Sequence, residues 1–526
     1  MRFVTVLGFV TASVMLASTG FAASPSIVTQ GTGAAMACAG CHGVDGAGNA
    51  DNGVPLLAGL PQAYLTKQIE DFKSGARASP IMAPIAKALV AADTESASKY
   101  YAELERPKIK AAAADPAVLA RGEAIATGGA WERQVPACFK CHGEGGRGVT
   151  PHFPPLAGQH ASYVSAQIKA WRDGTRKNDP QQLMKTLTDK LTDEEIDAVS
   201  QYIGSLGADT LAKPTAAPEK AGAGSSSASS SAKAEPVKFE PPPESAIPKN
   251  EFGETVLLGK DIFVNTQQHA KEFLGNGLNC TNCHLNNGRK PDSAPLWAAY
   301  VLYPAYRQKT RQVDTIQSRI QGCFMYSMNG KPPAADSKVM TALVTYHYWL
   351  ATGAPTGVKL PGQGFANVKK PPKTPDLARG AEVYKKNCVI CHGANGEGTK
   401  AHGSYAFPPL WGKESFNWGA GMHRINTAAG FIQANMPYGR GGTLSDQEAW
   451  DVALYMNSQD RPADPRFEGS IEQTRDKEHD ENCLYGRTPE ELAAHLGKKE
   501  KVDAVKKTKE AEAKKPQQGM SPATAH

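Results

Sequence analysis

Cys38-Ala-Gly-Cys41-His42 is a five-residue unit that the chain repeats three more times, as Cys138-Phe-Lys-Cys141-His142, Cys280-Thr-Asn-Cys283-His284 and Cys388-Val-Ile-Cys391-His392. Two thiols at this spacing add across the vinyl groups of a haem, and the adjacent imidazole takes one axial position of the iron. Zinc and dithiol redox sites need no His directly after the second Cys, so four copies of the whole unit set those readings aside. The sequence therefore predicts four covalently bound haem c groups, with His42, His142, His284 and His392 as iron ligands. Eight of the ten cysteines are used in this way, which leaves Cys323 and Cys483.

Each iron has a second axial site, and the sequence downstream of each motif offers a sulfur for it. Met82 follows His42 by 40 residues, Met184 follows His142 by 42, and Met436 follows His392 by 44. A methionine is more often packing than ligand, but three units place one at nearly the same offset. Met82 and Met436 also sit in Pro-containing stretches, Ser79-Pro80-Ile81-Met82-Ala83-Pro84 and Asn435-Met436-Pro437, which read as loops held against a haem face. His/Met ligation raises haem potentials and suits electron transfer.

The motif at His284 departs from that pattern. Its window reads Arg319-Ile-Gln-Gly-Cys323-Phe-Met325-Tyr-Ser327-Met328-Asn-Gly-Lys331. From spacing alone Cys323 and the pair Met325 and Met328 are equal candidates for the ligand. A thiolate would lower the potential of this haem and set a nucleophilic sulfur beside a redox metal. Arg307, Lys309, Arg311, Arg319 and Lys331 surround the window with only Asp314 opposing them. Such a run is commonly a solvated face, but guanidinium forks also match sulfate-like dianions.

Around these motifs the chain divides into modules. Its 526 residues, 40% hydrophobic and 21% charged, predict a soluble protein of several domains. A net charge of +6 is dilute over this length, and no aromatic-interleaved basic stripe suggests nucleic-acid binding. Met1-Arg2, an apolar run to Leu16 and Gly20-Phe21-Ala22 read as a signal peptide of residues 1–22, removed on export to the periplasm. An uncleaved N-terminal anchor is the alternative, and no later stretch predicts stable membrane insertion.

Residues 23–106 and 107–207 form two units related by duplication, with Pro55-Leu-Leu-Ala-Gly59 and Tyr64-Leu-Thr-Lys-Gln68-Ile69 against Pro155-Leu-Ala-Gly158 and Tyr163-Val-Ser-Ala-Gln167-Ile168. Residues 208–248, rich in Ala, Ser and Pro, read as a flexible linker. Units at 249–368 and 369–485 follow, then a Lys-rich tail at 486–526 expected to be disordered. No strand pattern stands out. Thr192-Asp-Glu-Glu195 and Ser445-Asp-Gln-Glu448 are capping boxes that open helices. Leu119-Ala-Arg-Gly122 and Leu377-Ala-Arg-Gly380 lie on helices in which a Gly permits a close crossing. The expected fold is mostly α: four cytochrome c-like helical units, each wrapped around a haem, in two dihaem halves. Cys483 reads as a free thiol or an intermolecular bridge.

With these residues in hand, the first half resembles dihaem cytochrome c4-type electron carriers. The second half resembles the thiosulfate dehydrogenases, periplasmic dihaem enzymes that couple two thiosulfates to tetrathionate. The text that carries the second resemblance is Arg319 to Gly330, Tyr303-Pro-Ala-Tyr-Arg307 and Asn435-Met436-Pro437. The resemblance implies that Cys323 is the distal ligand of the active-site haem and that Arg319 and Ser327 line the substrate pocket. Arg307 is the expected further contact, with the choice among Arg307, Lys309 and Arg311 left open. Asn435 stands where some members carry Lys, which implies that Met436 stays bound in both oxidation states.

The function implied is thiosulfate oxidation at the His284/Cys323 haem, with electrons passing to the His392 haem and on to the fused dihaem half. A terminal oxidase or another cytochrome would then accept them. Two alternatives stand beside this reading. One is a site that works chiefly as a tetrathionate reductase; the other is a non-catalytic relay, which would use Met325 or Met328 as ligand. A peroxidase is disfavoured because every window offers a sulfur.

Overall fold

The computed structural model describes residues 24–33, 35–107, 114–207 and 239–492. The expected signal peptide, most of the linker and the tail beyond Leu492 lie outside the described residues. The protein is helical. Among the described residues the named strands form two short antiparallel hairpins: Ala305–Arg307 with Gln312–Asp314, and Thr399–Ala401 with Ser404–Phe407. Compactness separates two units, one running to Gly75 and over Ser79–Pro107, the other holding Ala76–Ala78 and everything described beyond 107.

The smaller unit closes on the motif at His42. Helices Gln62–Ser74 and Ala91–Glu103 bring Leu65, Ala97 and Tyr101 together with Ile27, Val28 and Leu60. Tyr101 Oη donates to Gly43 O at 3.0 Å and Tyr100 Oη to Val44 O at 2.8 Å, tying the last helix to the turn after the motif. Met82 is not in a loop here; it opens the helix Met82–Ala88. Pro84 permits this because the first turn of a helix has no intrahelical acceptor for its N–H groups.

In the larger unit one architecture recurs three times. An early helix crosses a late one at a glycine, and the haem motif lies between them in sequence. Pro116–Glu123 crosses Asp193–Ser205, where a Cβ on Gly122 would stand 2.1 Å from Ala198 O. Leu377–Asn387 crosses Asp446–Asn457, with Gly380 meeting Asp451 O at 2.2 Å by the same measure. Glu251–Val264 crosses Lys338–Leu350 through Gly259, whose Cβ would lie 2.0 Å from Ala342 O. Only glycine fits such approaches. Both capping boxes form, each with reciprocal side-chain and backbone bonds.

The core of the Cys323 region is aromatic: Trp297, Tyr346 and Phe324 are almost wholly buried with Met340, Leu343 and Leu350. The end of the expected linker joins it. Phe239 packs on Trp297 with ring centroids 5.4 Å apart, and Arg289 Nη2 donates to Pro241 O at 3.1 Å. An aromatic side chain and free proline carbonyls give residues 239–248 something to bury and to bond, so this stretch is packed rather than a tether. Likewise the last part folds beyond 485, where Leu492 is fully buried against the core of Trp450, Leu454 and Ile425.

Residues 114–207 and 369–492 meet within the larger unit. Trp131 sits edge-on to Tyr438 at 5.6 Å, Phe153 packs on Phe407 at 5.3 Å, and Arg440 Nη1 donates to Gln181 O. The Cys323 region is joined to the last region by side-chain amides. Asn276 Nδ2 donates to Ser415 O at 3.1 Å and Asn417 Nδ2 to Met325 O at 2.9 Å.

Candidate active site

Every motif histidine is oriented in the same way. Nδ1 pairs with a backbone carbonyl: His42 with Pro55 O at 3.1 Å, His142 with Pro154 O at 2.9 Å, His284 with Ala294 O at 2.7 Å and His392 with Pro408 O at 2.8 Å. That bond fixes the tautomer and leaves Nε2 as the free lone pair for iron. The eight motif cysteines are all free of disulfides. Burial also leaves polar atoms in want of acceptors or donors: Trp171 Nε1, both amide atoms of Asn457, and Nε and Nη1 of Arg461. The Arg461 guanidinium lies 4.4 Å over the Phe416 ring and 5.1 Å from that of Trp418. Buried groups of this kind require partners, and the carboxylates of a porphyrin are suitable ones. The residues present therefore fit haem c.

Three of the sulfurs expected opposite the histidines are half-buried methionines. Met82 starts its helix with its N–H on Ser79 Oγ at 3.0 Å, and Met184 lies on the helix Leu183–Thr188. Met436 is extended at the end of Ile425–Asn435. The neighbouring Asn435 accepts from Lys290 Nζ at 2.5 Å and donates to Phe431 O and Asp292 O. An amine thus does approach residue 435, but it comes from another part of the chain and is held by the amide.

Opposite His284 the sulfur is a thiol. Helix Ile316–Gly322 runs into a single wider turn, Cys323–Ser327, with i→i+5 bonding, a distortion that recurs at functional sites. Arg319, one turn earlier on the same face, donates Nη1 to Cys323 Sγ at 2.9 Å. The His284 side chain lies within hydrogen-bonding reach of the same sulfur. Burial alone would raise this thiol; Arg319, His284 and Arg307 outweigh it and bring the thiol down to about 6. Met328 is buried, its N–H donating to Cys323 O at 3.0 Å, and Met325 is half-buried, its carbonyl taken by Asn417.

The hairpin Ala305–Arg307/Gln312–Asp314 sorts the basic residues. Arg307 turns inward, pairing with buried Asp314 at 3.2 Å and adding its charge to the Cys323 side. Lys309 lies 3.8 Å over the Tyr326 ring and donates to Gly419 O. Burial, then Arg466, Arg319 and Arg307, push its ammonium down to about 7. Arg311 is exposed and bonds to Lys477 O instead. Ser327 closes the wide turn, with its carbonyl accepting from Asn276 Nδ2 at 2.9 Å. The sequence reading did not include Arg466, which lies 5.2 Å from the Tyr326 ring and is anchored by Asp464 at 2.6 Å and Glu478 at 2.7 Å. No local signal marks Arg466, because it reaches Tyr326 from a distant part of the sequence.

The motifs at 138–142 and 388–392 lie close together, since the Cys141 thiol is raised first by burial and then by the charge of Cys391. Phe153, which packs on Phe407, meets the His142 ring edge-on at 6.1 Å, and Tyr438, which meets Trp131, lies near Cys141.

Comparison with known proteins matches this layout. The cytochrome c family model matches residues 29–110 and 120–207, the SoxA/TsdA cytochrome c domain model 266–356, and the model for subunit III of cbb3-type cytochrome c oxidase 375–456. The chain is 59% identical over 252 residues to thiosulfate dehydrogenase of Stutzerimonas stutzeri, covering 47% of this chain and 82% of that one. It is 46% identical over 183 residues to the thiosulfate dehydrogenase electron acceptor of the same organism, covering 34% and 85%. The solved structure of thiosulfate dehydrogenase (TsdBA) from Marichromatium purpuratum superposes with a TM-score of 0.79 at 43% identity, covering 88% of this chain and 96% of that one. Four haem motifs, a thiol set against one motif histidine, and this extent of likeness place the chain in the thiosulfate dehydrogenase family, in the form that joins an electron-acceptor cytochrome half to the dehydrogenase half.

Proposed function

We propose that the chain oxidises two thiosulfates to tetrathionate at Cys323 and holds four haem c groups, through the cysteine pairs 38/41, 138/141, 280/283 and 388/391. His42 with Met82, His142 with Met184, His284 with Cys323 and His392 with Met436 would hold the irons. When bound, the haems supply one-electron acceptance, so that together they take up the two electrons of the reaction. The observation that carries the proposal is the Cys323 sulfur, 2.9 Å from Arg319 Nη1 and facing His284.

The residues divide the chemistry between them. Arg307, Lys309, Arg319 and Arg466 attract the dianion and offset the repulsion between two of them. The Cys323 thiolate bonds to the sulfane sulfur of the first thiosulfate, with loss of two electrons, giving a cysteinyl S-sulfonatosulfane. The sulfane sulfur of the second thiosulfate attacks that sulfur, tetrathionate leaves and the Cys323 thiolate is restored. Asn276 and Asn417 hold the backbone of the wide turn, so the sulfur stays aimed. Export to the periplasm and reoxidation by a terminal oxidase or another cytochrome complete the proposal. No helix among the described residues is long and apolar enough to cross a membrane.

The test is Cys323→Ala, with haem loading confirmed from absorbance and iron content. Thiosulfate-dependent haem reduction should be lost while dithionite still reduces the haems. Full retention of thiosulfate turnover would sink the assignment.

A further inference from the structure

Cys483 has no part in the chemistry above, and its setting is specific. It is fully buried, which does not suit an intermolecular bridge. Two histidines, 4% and 8% exposed, turn the same ring nitrogen on its sulfur: His423 Nδ1 at 2.8 Å and His479 Nδ1 at 3.2 Å. The three donor atoms all lie within 4.8 Å of one another, and among the described residues this is the one such group of His, Cys, Asp or Glu.

The surroundings are those of ligands held in place. His479 stacks on Tyr485 with ring centroids 4.3 Å apart, and His423 meets His479 edge-on at 4.8 Å. His479 Nε2 lies 3.0 Å from Asp464 Oδ2, although off the line of a good hydrogen bond. A carboxylate on the far nitrogen orients a metal-binding imidazole and leaves the near nitrogen for the metal. Asp464 is fixed in turn by Arg466 at 2.6 Å.

We propose that His423, His479 and Cys483 bind one copper ion, held as Cu(I). Thiolate with imidazole selects copper or zinc over harder cations, and a two-His, one-Cys set is a copper arrangement. Structural zinc takes four protein donors, and this group offers three. Charge decides further. Lys309 and Arg461 lie on the His423 side, Arg424 there is paired with Asp480 at 2.8 Å, and Asp464 is paired with Arg466. Cu(I) with one thiolate is neutral, whereas a dication would leave a net positive charge buried among these cations. Metal bonds of about 2.0–2.3 Å set donors roughly 3.4–3.7 Å apart, so the sulfur and the two ring nitrogens, now 2.8 and 3.2 Å from it, must open by under about an ångström. The ion would join the segment before helix Ile425–Asn435 to residues 479–483, which follow helix Ile471–Glu478; His479 in turn meets Asp464, the partner of the Arg466 that faces Tyr326.

The test uses the full-length haem-loaded protein, incubated anaerobically with Cu(I) and Zn(II) at equal free concentrations set by chelators, then desalted. Elemental analysis counts copper and zinc against haem iron, and copper-edge X-ray absorption reads the ligands. One copper per chain, with one sulfur and two nitrogen scatterers, is expected. Cys483→Ala should lose at least nine-tenths of it and His479→Gln most of it, with the haem spectrum unchanged. Zinc taken up in preference, no metal retained, or copper undiminished in Cys483→Ala would each overturn the proposal. The absorption spectrum of the wild-type protein decides the ligand set even if a variant fails to fold.

Discussion

Lys309 is the residue whose charge should be read in the kinetics. Its ammonium is cationic below about pH 7 and neutral above, because burial and three guanidinium neighbours depress it. Thiosulfate stays a dianion across this range, so its KM should rise as pH passes through about 7, and Lys309→Gln should show the high KM at every pH. A hydrogen bond to a charged group is worth about 1.5–3 kcal/mol, which corresponds to a roughly 10- to 100-fold rise in KM. A pH-rate series on the two proteins checks it, and a KM that stays flat with pH in the wild type removes Lys309 from the pocket. Arg319→Gln should instead lower kcat, by about tenfold or more, since the guanidinium touches the reacting sulfur. From spacing alone Cys323 shared its place with Met325 and Met328, and the resemblance to thiosulfate dehydrogenases singled out Cys323 and Arg319, which lie four residues apart where one helix runs into the wide turn. Tyr326 with Arg466, and Cys483 with His423, were not legible in the sequence, since each pair is assembled by tertiary folding from distant segments.

At the scale of elements, the glycine crossings are the joints that let each helix pair close. Adding a methyl group at Gly259 or Gly380 drives a Cβ to within 2.0 or 2.2 Å of a backbone oxygen, which no side-chain movement relieves. Gly259→Ala and Gly380→Ala should each cost about 1–3 kcal/mol or more. The check is a thermal or denaturant melt of the haem-loaded protein, in which an unchanged midpoint would show that the helices separate without penalty. Thr192→Ala removes the capping bond to Glu195 N and should cost about 1 kcal/mol. Two of these crossings could be read from the repeated Leu-Ala-Arg-Gly text, and both capping boxes from their spacing. Gly259 lacks that flanking text and went unread. Met82 opens a helix although the prolines beside it read as loop signals, because Pro84 occupies a helical position that tolerates it.

For the whole molecule, the question is what the covalent link between the dehydrogenase half and the acceptor half contributes beyond the packed surface. Within the larger unit that surface includes Trp131 with Tyr438, Phe153 with Phe407, and the bonds of Arg440 to Gln181 O and of Lys190 to Gly439 O. Separate chains would meet through this surface only as their concentration allows, whereas a covalent link imposes an effective concentration on the order of millimolar. A protease site placed within residues 208–238 therefore separates the two effects. In the intact chain the fast phase of thiosulfate-driven reduction should include the haems of both halves at every dilution. After cleavage its amplitude should fall towards that of the dehydrogenase half alone as the protein is diluted. Tyr438→Ala should shift that fall to higher protein concentration, because it removes the ring that Trp131 meets. Stopped-flow absorbance over a dilution series measures all three. If the cleaved protein keeps the full amplitude at every dilution, the docked surface alone unites the halves and the fusion adds nothing to electron delivery.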